Sequence, residues 1–470
     1  MRKYRFYSAI LDTISPLKIA SGANEESDSD ILLDSVGKPF IPGTTIAGKI
    51  RSYLREAYPD EYGSDAEGRN GIIDLWFGYQ VPGKDEGEES RFIFNEAFLH
   101  QDTDATISIR DGVSLDEWKA AKSGSKHDYQ VLNRGPQFKL RFEVSPLATS
   151  APTIDEKDQL DTLVHRIFSG FNNGDIRLGG KTTRGFGEVK IHDIKEMSYD
   201  LDEDSGRQGY IDFTWDKLGF ATYEEPLEFE SLLYEKRCYK FSNSNYLLIR
   251  DYAVSLDAYV DKDDPERNLV DAQQLSEGSS DVLPGPSWAG LFRSQAYKIL
   301  RRCGWNHKKA QKFVDLLFGY VKNVKTSQSK TESHDALIDE QDKRSERRIT
   351  ASQSNIEFVD SLVVGANGKD TKHLNKTRNA IDRFTNGTAN SALFTNQAAY
   401  DVEGDREITI RWRRDFCAEA SLRGVNLGSL IDNIVKDINC GLAAIGGETS
   451  VGGGIVKLVS VVESGDANGS

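Results

Sequence analysis

The sequence predicts an α+β protein made of two tandem ferredoxin-like, or RRM-like, units, each with an antiparallel sheet and helices on one face. Three observations predict this class. Apolar residues are spaced as in strands and helices, in the order strand, helix, strands, helix, strand. A set of short motifs occurs twice in the same order. The chain has 470 residues, which suits two or three domains better than one small domain.

The spacing of apolar residues predicts each element of the first unit. Near-alternation is typical of a half-buried strand, whereas recurrence at every third or fourth position is typical of an amphipathic helix. In chain order the segments are "YRFYSAILDTI" (strand), a helix after Pro42 with Ile46, Ile50 and Leu54 on one face, "SRFIFNEAFL" and "QFKLRFEVSPL" (strands), "LDTLVHRIFSGF" (helix) and "GEVKIHDIK" (strand). Thr44 or Thr45 is expected to cap the first helix.

Four motif pairs indicate that the second part of the chain repeats the first. The pairs are Gly43 with Gly285, Gly78 with Gly319, Asp116 with Asp382, and Gly179 with Gly446. Their offsets are 242, 241, 266 and 267, so the offset increases once, by about 25 residues. The increase falls in a polar, highly charged stretch, which predicts a charged insertion at about 320–350.

The repeat also sets the expected boundaries. The acidic, turn-rich stretch "MSYDLDEDSGRQG" is interpreted as the end of the first unit. We expect a first domain at 1–205, a linker at 206–227, a second domain at 228–462 and a disordered tail at 463–470.

Composition restricts the class of function. The formal net charge of -15 argues against a general nucleic-acid binder but leaves room for RNA in a local basic groove. No apolar run approaches the ~20 residues that span a bilayer, and the N-terminus lacks the apolar segment of a signal peptide. The four cysteines have no CxxC spacing and are interpreted as reduced thiols. These features favour a cytoplasmic protein.

The Pro-Gly turn before each first helix is a candidate phosphate site. A helix N-terminus exposes unpaired N–H groups and the positive end of a dipole. The simpler interpretation, a capped helix that packs on its sheet, stays open. The candidate RNA-binding residues are Gly43, Thr44, Thr45, Lys49 and Arg51 in the first unit, and Gly285, Ser287, Trp288 and Arg293 in the second.

A glycine-rich segment, "GGKTTRGFGEV", is a second candidate, because glycine permits close approach of a ligand. Gly180, Lys181, Thr182 and Arg184 would present donors to phosphates. The spacing matches neither a Walker A loop nor a Rossmann fingerprint. The second copy, "GGETSVGGG" with Gly447, has lost both basic residues, so it either binds more weakly or serves only as a turn.

The acidic loop "GANEESDSDILLD" contains Asp28, Asp30 and Asp34. A carboxylate beside an RNA backbone could orient a 2′-hydroxyl, act as a base or hold a divalent ion. The alternative is a solvated loop in which aspartates form turns. His127, His165, His307 and His373 form no short catalytic motif.

These motifs together resemble the RAMP superfamily, and more narrowly the backbone subunits of type III CRISPR effector complexes. The resemblance rests on "PFIPGTTIAGKIR", "LWFG", "IRDGVSLD" and "RLGGKTTRGFGEVKI", and on "AIDRFTNGTANSALF" in the second unit. It implies a ferredoxin-like core with an inserted β-hairpin thumb in each unit. It also implies a filament with other subunits that holds a guide RNA (crRNA) and displays it to target RNA. Lys376, Arg378, Arg383 and Phe384, in or near the thumb, are implied RNA-binding residues.

The resemblance also implies cleavage of the target RNA by a loop aspartate with Mg²⁺ or another divalent cation. The family's spacing places that aspartate, and the metal, at Asp28, with Asp30 as the close alternative. In the second unit Asp261 is one of several candidates, and the spacing is not preserved there.

Three alternatives stay open at this point. The chain could be a scaffold of the same complex that binds guide RNA without cutting. It could be a guide-processing endoribonuclease of the same superfamily, which requires a positioned histidine or an equivalent group. It could also be an acidic protein-binding scaffold that does not contact RNA.

Overall fold

A computed structural model describes residues 3–22, 27, 29–62, 71–80, 87–101, 103–112, 127–146, 156–217, 219–251, 270–321, 351–404 and 407–461. Within these ranges the chain is α+β with antiparallel sheets, as predicted. The predicted insertion falls mainly on residues 322–350, which lie outside the described residues, as does the predicted tail. None of the helices in these ranges is long and apolar enough to cross a bilayer.

The elements before residue 234 correspond closely to the predicted segments. The strands are β1 (Lys3–Thr13), β2 (Phe40–Ile41), β3 (Tyr79–Gln80), β4 (Gly87–Glu88), β5 (Phe92–Phe94), β6 (Ala97–Leu99), β7 (Ile107–Gly112), β8 (His127–Leu132), β9 (Gln137–Val144), β10 (Val189–Asp200) and β11 (Ala221–Thr222). The helices are α1 (Gly43–Ala57), α2 (Pro59–Tyr62), α3 (Gly71–Phe77), α4 (Glu156–Asn172) and α5 (Asp204–Ile211).

The later elements repeat much of this order. The strands are β12 (Tyr234–Leu247), β13 (Arg250–Asp251), β14 (Ala272–Gln274), β15 (Ser276–Glu277), β16 (Ser280–Leu283), β17 (Tyr320–Val321), β18 (Ala351–Ser352), β19 (Ile356–Phe358), β20 (Ser361–Gly365), β21 (Lys372–Ile381), β22 (Thr388–Gly404), β23 (Ile408–Arg413) and β24 (Lys457–Ser460). The helices are α6 (Gly285–Arg302), α7 (His307–Phe318), α8 (Arg414–Leu422) and α9 (Leu427–Asn439).

Two compact units divide the chain, and neither is a single continuous segment. The first comprises Met1–Glu235, Asp251–Asp281 and Thr377–Asn396, and the second comprises Lys236–Arg250, Val282–Lys376 and Gln397–Ser470. The stretch 206–227, predicted as a linker, lies within the first unit, where it contains most of α5 and all of β11.

The sheet of the first unit has the strand order β11-β10-β1-β9-β6-β2, with β5 also paired to β9. Alternate residues of β1 face opposite sides. Tyr7, Ala9 and Leu11 belong to the main core, together with buried residues of α1 and α4 such as Ile50 and Ile167. The helices therefore cover one face of this sheet, as expected for the predicted class.

The other face of the same sheet is covered by aromatic residues from the stretch after β10. Phe6 of β1 stacks on Phe213 at 3.8 Å between ring centroids and meets Trp215 edge-on at 5.8 Å. Tyr4 contacts Tyr210 of α5 at 4.6 Å. RRM domains stack RNA bases on the corresponding face of their sheet. In the first unit, aromatic residues of the same chain already cover that face.

In the second unit the strand order is β20-β22-β12-β23-β19, and β24 also pairs with β12. Trp288 of α6 is 0% exposed and contacts Phe241 edge-on at 6.0 Å. The prediction that Trp288 binds RNA is therefore wrong, because the indole is a core side chain with no exposed surface.

Two β-hairpins lie in the parts of the chain where thumbs are predicted. In the first unit β7 pairs with β8, and the segment that connects them, 113–126, lies outside the described residues. In the later hairpin β21 pairs with β22. Asp382 organises its tip, where its carboxylate accepts the N–H groups of Phe384 at 2.7 Å and Thr385 at 3.0 Å. These bonds lower the pKa of Asp382.

Candidate nucleic-acid interface

The glycine-rich turn of the first unit is fastened to the segment that follows β1. Gly180 N–H donates to the Lys18 carbonyl at 2.7 Å, and Gly187 N–H donates to the Pro16 carbonyl at 2.9 Å. Gly179 has φ +77, and a Cβ there would lie 2.3 Å from the Lys18 carbonyl oxygen. Glycine is required at this position because the two backbones approach so closely.

Lysine side chains converge on one tyrosine at this turn. Lys181 adopts a left-handed conformation before the short 3₁₀ helix Thr182–Arg184. Its Nζ lies 3.5 Å from the ring centroid of Tyr129 on β8. Lys18 Nζ lies 4.8 Å from the same centroid. These are cation–π distances, so Tyr129 organises two cations at the turn.

This cluster, which we call the basic turn, consists of Lys18, Lys181, Arg184 and Tyr129. Burial, together with repulsion from Arg184 and Lys18, lowers the pKa of Lys181 to about 7. Burial also lowers the pKa of Lys18, against the opposing effect of Asp30. Arg184 is exposed. An incoming anion would relieve this concentration of positive charge.

The acidic loop is held beside the basic turn. Lys18 Nζ donates to the Ser29 carbonyl at 3.2 Å. Gln130 N–H, next to Tyr129, donates to the same carbonyl at 3.1 Å. Asp30 is 8% exposed, and its carboxylate accepts the Ser27 N–H at 2.9 Å and the Ser27 hydroxyl at 2.7 Å. Asp30 therefore fixes the shape of the loop.

The aspartates predicted to cut RNA are only partly described. Asp28 lies between the described Ser27 and Ser29, but it is itself outside the described residues, as is Asp261. In the described part of the chain, no three histidines, cysteines or acidic residues cluster as cation ligands. Within the described part of the loop, the Asp30 carboxylate is engaged by Ser27.

The first Pro-Gly turn is built by close packing. The residue before α1 is Pro42, which offers no side-chain acceptor, and no side-chain cap forms. The prediction that Thr44 or Thr45 caps the helix is therefore wrong, because both lie inside it. Thr44 is exposed, and Thr45 and Lys49 are half-buried. Arg51 donates to Asp74 at 2.8 Å, so its charge is compensated within the unit.

At the second Pro-Gly turn, a buried aspartate binds the start of the helix. Gly285 N–H, at the start of α6, donates to the Asp360 carboxylate at 2.7 Å, and Asp360 is 4% exposed. Arg293 pairs with Asp315 and donates to the Gly319 carbonyl at 2.9 Å. Ser287 is half-buried.

The second glycine-rich turn repeats the backbone of the first but not its charge. Gly447 N–H donates to the Leu248 carbonyl at 2.7 Å, as Gly180 does to Lys18. Glu448 has φ 57, the same value as Lys181 at the equivalent position. Lys376 of β21 lies near it, with Nζ 3.7 Å from Glu448 Oε2 and 3.5 Å from the Tyr246 ring centroid.

The remaining predicted RNA-binding residues lie on the β21–β22 hairpin. Arg378 is half-buried on β21, whereas Arg383 and Phe384 are exposed at the tip. The Phe384 side chain is 97% exposed, which makes it available for stacking on a base.

Sequence reasoning missed two members of the basic turn. Lys18 occurs singly among apolar residues in "SPLKIAS", and a lysine in such a setting was the available signal. Tyr129 carried no signal, because its role depends on a contact between β8 and a turn about 50 residues later in the chain.

Comparison with known proteins gives one matching family and one similar protein. The model of the RAMP superfamily matches residues 10–190 and 253–457. One relative, the "CRISPR system Cms endoribonuclease Csm3" of Streptococcus thermophilus, is 24% identical over 178 residues, which are 36% of this chain and 76% of the relative. Because the family model matches twice and covers more than half of the chain, this protein belongs to the RAMP superfamily and contains two RAMP domains.

Proposed function

We propose that the chain is a fused backbone subunit of a type III CRISPR ribonucleoprotein, which binds guide RNA and presents it to complementary target RNA. The observation that carries the proposal is the basic turn. Its cations lie within a protein of formal net charge -15, so the positive charge is local. The likeness to the CRISPR endoribonuclease of Streptococcus thermophilus supports the same function.

The chemistry of the basic turn suits an RNA backbone. Lysine and arginine at a glycine-rich turn bind phosphates independently of base identity, as a guide-binding subunit requires. The exposed Phe384 at the hairpin tip supplies a surface for an unstacked base. Other subunits of the complex would extend the same RNA path.

A double substitution tests RNA binding. Lys181→Gln with Arg184→Gln should weaken binding of the full chain to a single-stranded RNA by about tenfold, because two phosphate contacts are lost. Lys195→Gln is the control, since the Lys195 side chain is 44% exposed and pairs with Asp193 at 2.9 Å. Fluorescence anisotropy at fixed salt measures both. A full chain that binds no RNA, with an absorbance ratio of pure protein in the purified complex, would refute the proposal.

We further propose that the first unit cuts the target RNA and that Asp28 positions the attacking group. The 2′-hydroxyl would attack the adjacent phosphorus and give its proton to a general base. The bond from phosphorus to the 5′ oxygen would break, and that oxygen would take up a proton and leave as the hydroxyl of the downstream fragment. The support is the name of the relative and the anchoring of the loop by Lys18, Gln130 and Asp30.

Mapping of target fragments tests this assignment. The reconstituted complex with Asp28→Ala should lose one class of cut while it still binds guide and target RNA. If all cuts persist, Asp28 is not the cutting residue, and a complex that never cuts leaves the scaffold alternative in place. Asp34→Asn is the control, because Asp34 forms a local turn by accepting the N–H groups of Val36 and Lys38.

The need for Mg²⁺ or another divalent cation is a separate proposal that depends on Asp28 as ligand. Among the described residues, no group of three histidine, cysteine or acidic side chains gathers around a possible ion position. EDTA should stop the Asp28-dependent cut without releasing the RNA, and cutting that continues in EDTA would exclude the ion.

A further inference from the structure

The two glycine-rich turns have the same backbone and opposite charges at the equivalent residue. Lys181 and Glu448 share the left-handed conformation and precede equivalent 3₁₀ helices, Thr182–Arg184 and Thr449–Val451. Gly187 and Gly454, each seven residues after Gly180 and Gly447 respectively, continue the likeness, since each donates to the segment that carries the first strand of its unit. The difference is therefore one of side-chain charge at a fixed position.

A lysine lies on a tyrosine ring at each turn, but the two ammonium groups have different neighbours. Lys181 Nζ and Lys376 Nζ are each 3.5 Å from a ring centroid, of Tyr129 and Tyr246 respectively. Lys181 is repelled by Arg184 and Lys18. Lys376 instead lies 3.7 Å from Glu448, whose side chain is 3% exposed. The charge of Lys376 is thus compensated within the unit.

A second buried carboxylate, that of Asp360, lies at the start of α6, which is the other candidate phosphate position of the second unit. Asp360 accepts the Gly285 N–H at the start of α6. The corresponding turn of the first unit has an exposed Glu96 at the position aligned with Asp360, and Gly43 packs against the Phe94 carbonyl. Since a helix N-terminus that already binds a carboxylate repels a further anion, Asp360 closes the α6 turn to phosphate.

We infer that Glu448 excludes RNA phosphates from the glycine-rich turn of the second unit, and that Asp360 excludes them from the start of α6. Of the two glycine-rich turns, the basic turn of the first unit is then the one that binds phosphate. The inference rests on the proposed binding of RNA. Arg250, whose Nε lies 3.5 Å from the place of a Cβ on Gly447, is the further cation beside the second turn. Lys376 contacts a carboxylate as well as a ring, whereas Lys181 and Lys18 share the Tyr129 ring.

Matched substitutions at the two tyrosine-stacked lysines test the inference. The full chain is titrated with one single-stranded RNA at several salt concentrations. Lys181→Gln should reduce the slope of log affinity against log salt by about 0.7, the value for one phosphate contact on a single strand. The double variant Lys376→Gln with Glu448→Gln removes a compensated pair together and should leave the slope unchanged. Circular dichroism shows whether each variant is folded.

The outcomes separate the inference from the proposed function. An equal loss of slope in Lys181→Gln and in the Lys376 and Glu448 double variant would overturn the inference while RNA binding stands. Wild-type protein that binds no RNA would overturn both. Asp360→Asn provides an independent measurement, because its asparagine can still accept the Gly285 N–H. It should raise RNA affinity or leave it unchanged, and a several-fold loss would contradict an excluding role.

Discussion

At the scale of single residues, the protonation of the Lys181 side chain should depend on whether an RNA phosphate is bound beside it. A lysine in water keeps its proton well above neutral pH, but burial and two neighbouring cations lower the pKa of Lys181 to about 7. A phosphate binds the charged form. Because the free protein holds that proton weakly near neutrality, RNA binding at the basic turn should take up a proton.

This coupling predicts that RNA affinity falls as pH rises. From pH 6 to pH 8 the charged fraction of a group with pKa about 7 falls about tenfold, so affinity should fall by up to about tenfold. Lys181→Arg stays charged and should abolish this dependence. His127, whose ring centroid is 5.8 Å from that of Tyr129, is present in both proteins. Anisotropy titrations at constant salt measure the effect, and an unchanged pH profile in Lys181→Arg would exclude Lys181 as its source.

At the scale of elements, α1 contains two glycines with different roles. A Cβ at Gly43 would lie 2.1 Å from the Phe94 carbonyl oxygen, so the start of the helix packs directly on β5. A Cβ at Gly48 would meet no atom of the described residues within 4 Å. Gly43 is therefore required for packing, whereas Gly48 is exposed on the helix surface.

Alanine at each position should change stability in opposite directions. Gly43→Ala forces the helix away from the strand and should lower the free energy of unfolding by about 1–3 kcal/mol. Gly48→Ala should raise it by up to about 1 kcal/mol, because alanine favours an exposed helix interior. Urea unfolding followed by circular dichroism measures both. A neutral Gly43→Ala would show that the helix start tolerates displacement.

Local patterns predicted the elements but not their long-range contacts. The strands β1 and β9 and the helices α1 and α4 follow from apolar spacing, which depends on near neighbours. The covering of one sheet face by Phe213 and Trp215 does not follow from spacing, because residues far apart in the chain form it. For the same reason Trp288, next to a candidate turn, was assigned to RNA although it lies in the core.

At the scale of the whole molecule, the two compact units are not the two halves of the chain. Asp251–Asp281 belongs to the first unit although it follows the first strand of the second. Within that segment, Glu277 accepts from Arg110 at 3.1 Å and from Arg134 at 3.2 Å. The side chains of Glu277 and Arg110 are each 4% exposed. A buried carboxylate thus fastens a late segment to the first unit.

Removal of this carboxylate should weaken the first unit. Glu277→Ala leaves two arginines without the acid that they share, and breaking a buried pair costs about 3–5 kcal/mol. The control is Glu419, whose side chain is 43% exposed and pairs with Arg423 at 2.7 Å one helical turn away. Glu419→Gln should cost about 0.5 kcal/mol or less. Denaturant unfolding of the full chain compares them.

A fragment that ends at residue 235 lacks Glu277 as well and should be destabilised like Glu277→Ala. If both the variant and the fragment unfold like the first unit of the wild-type protein, the segment Asp251–Asp281 contributes nothing to the stability of that unit.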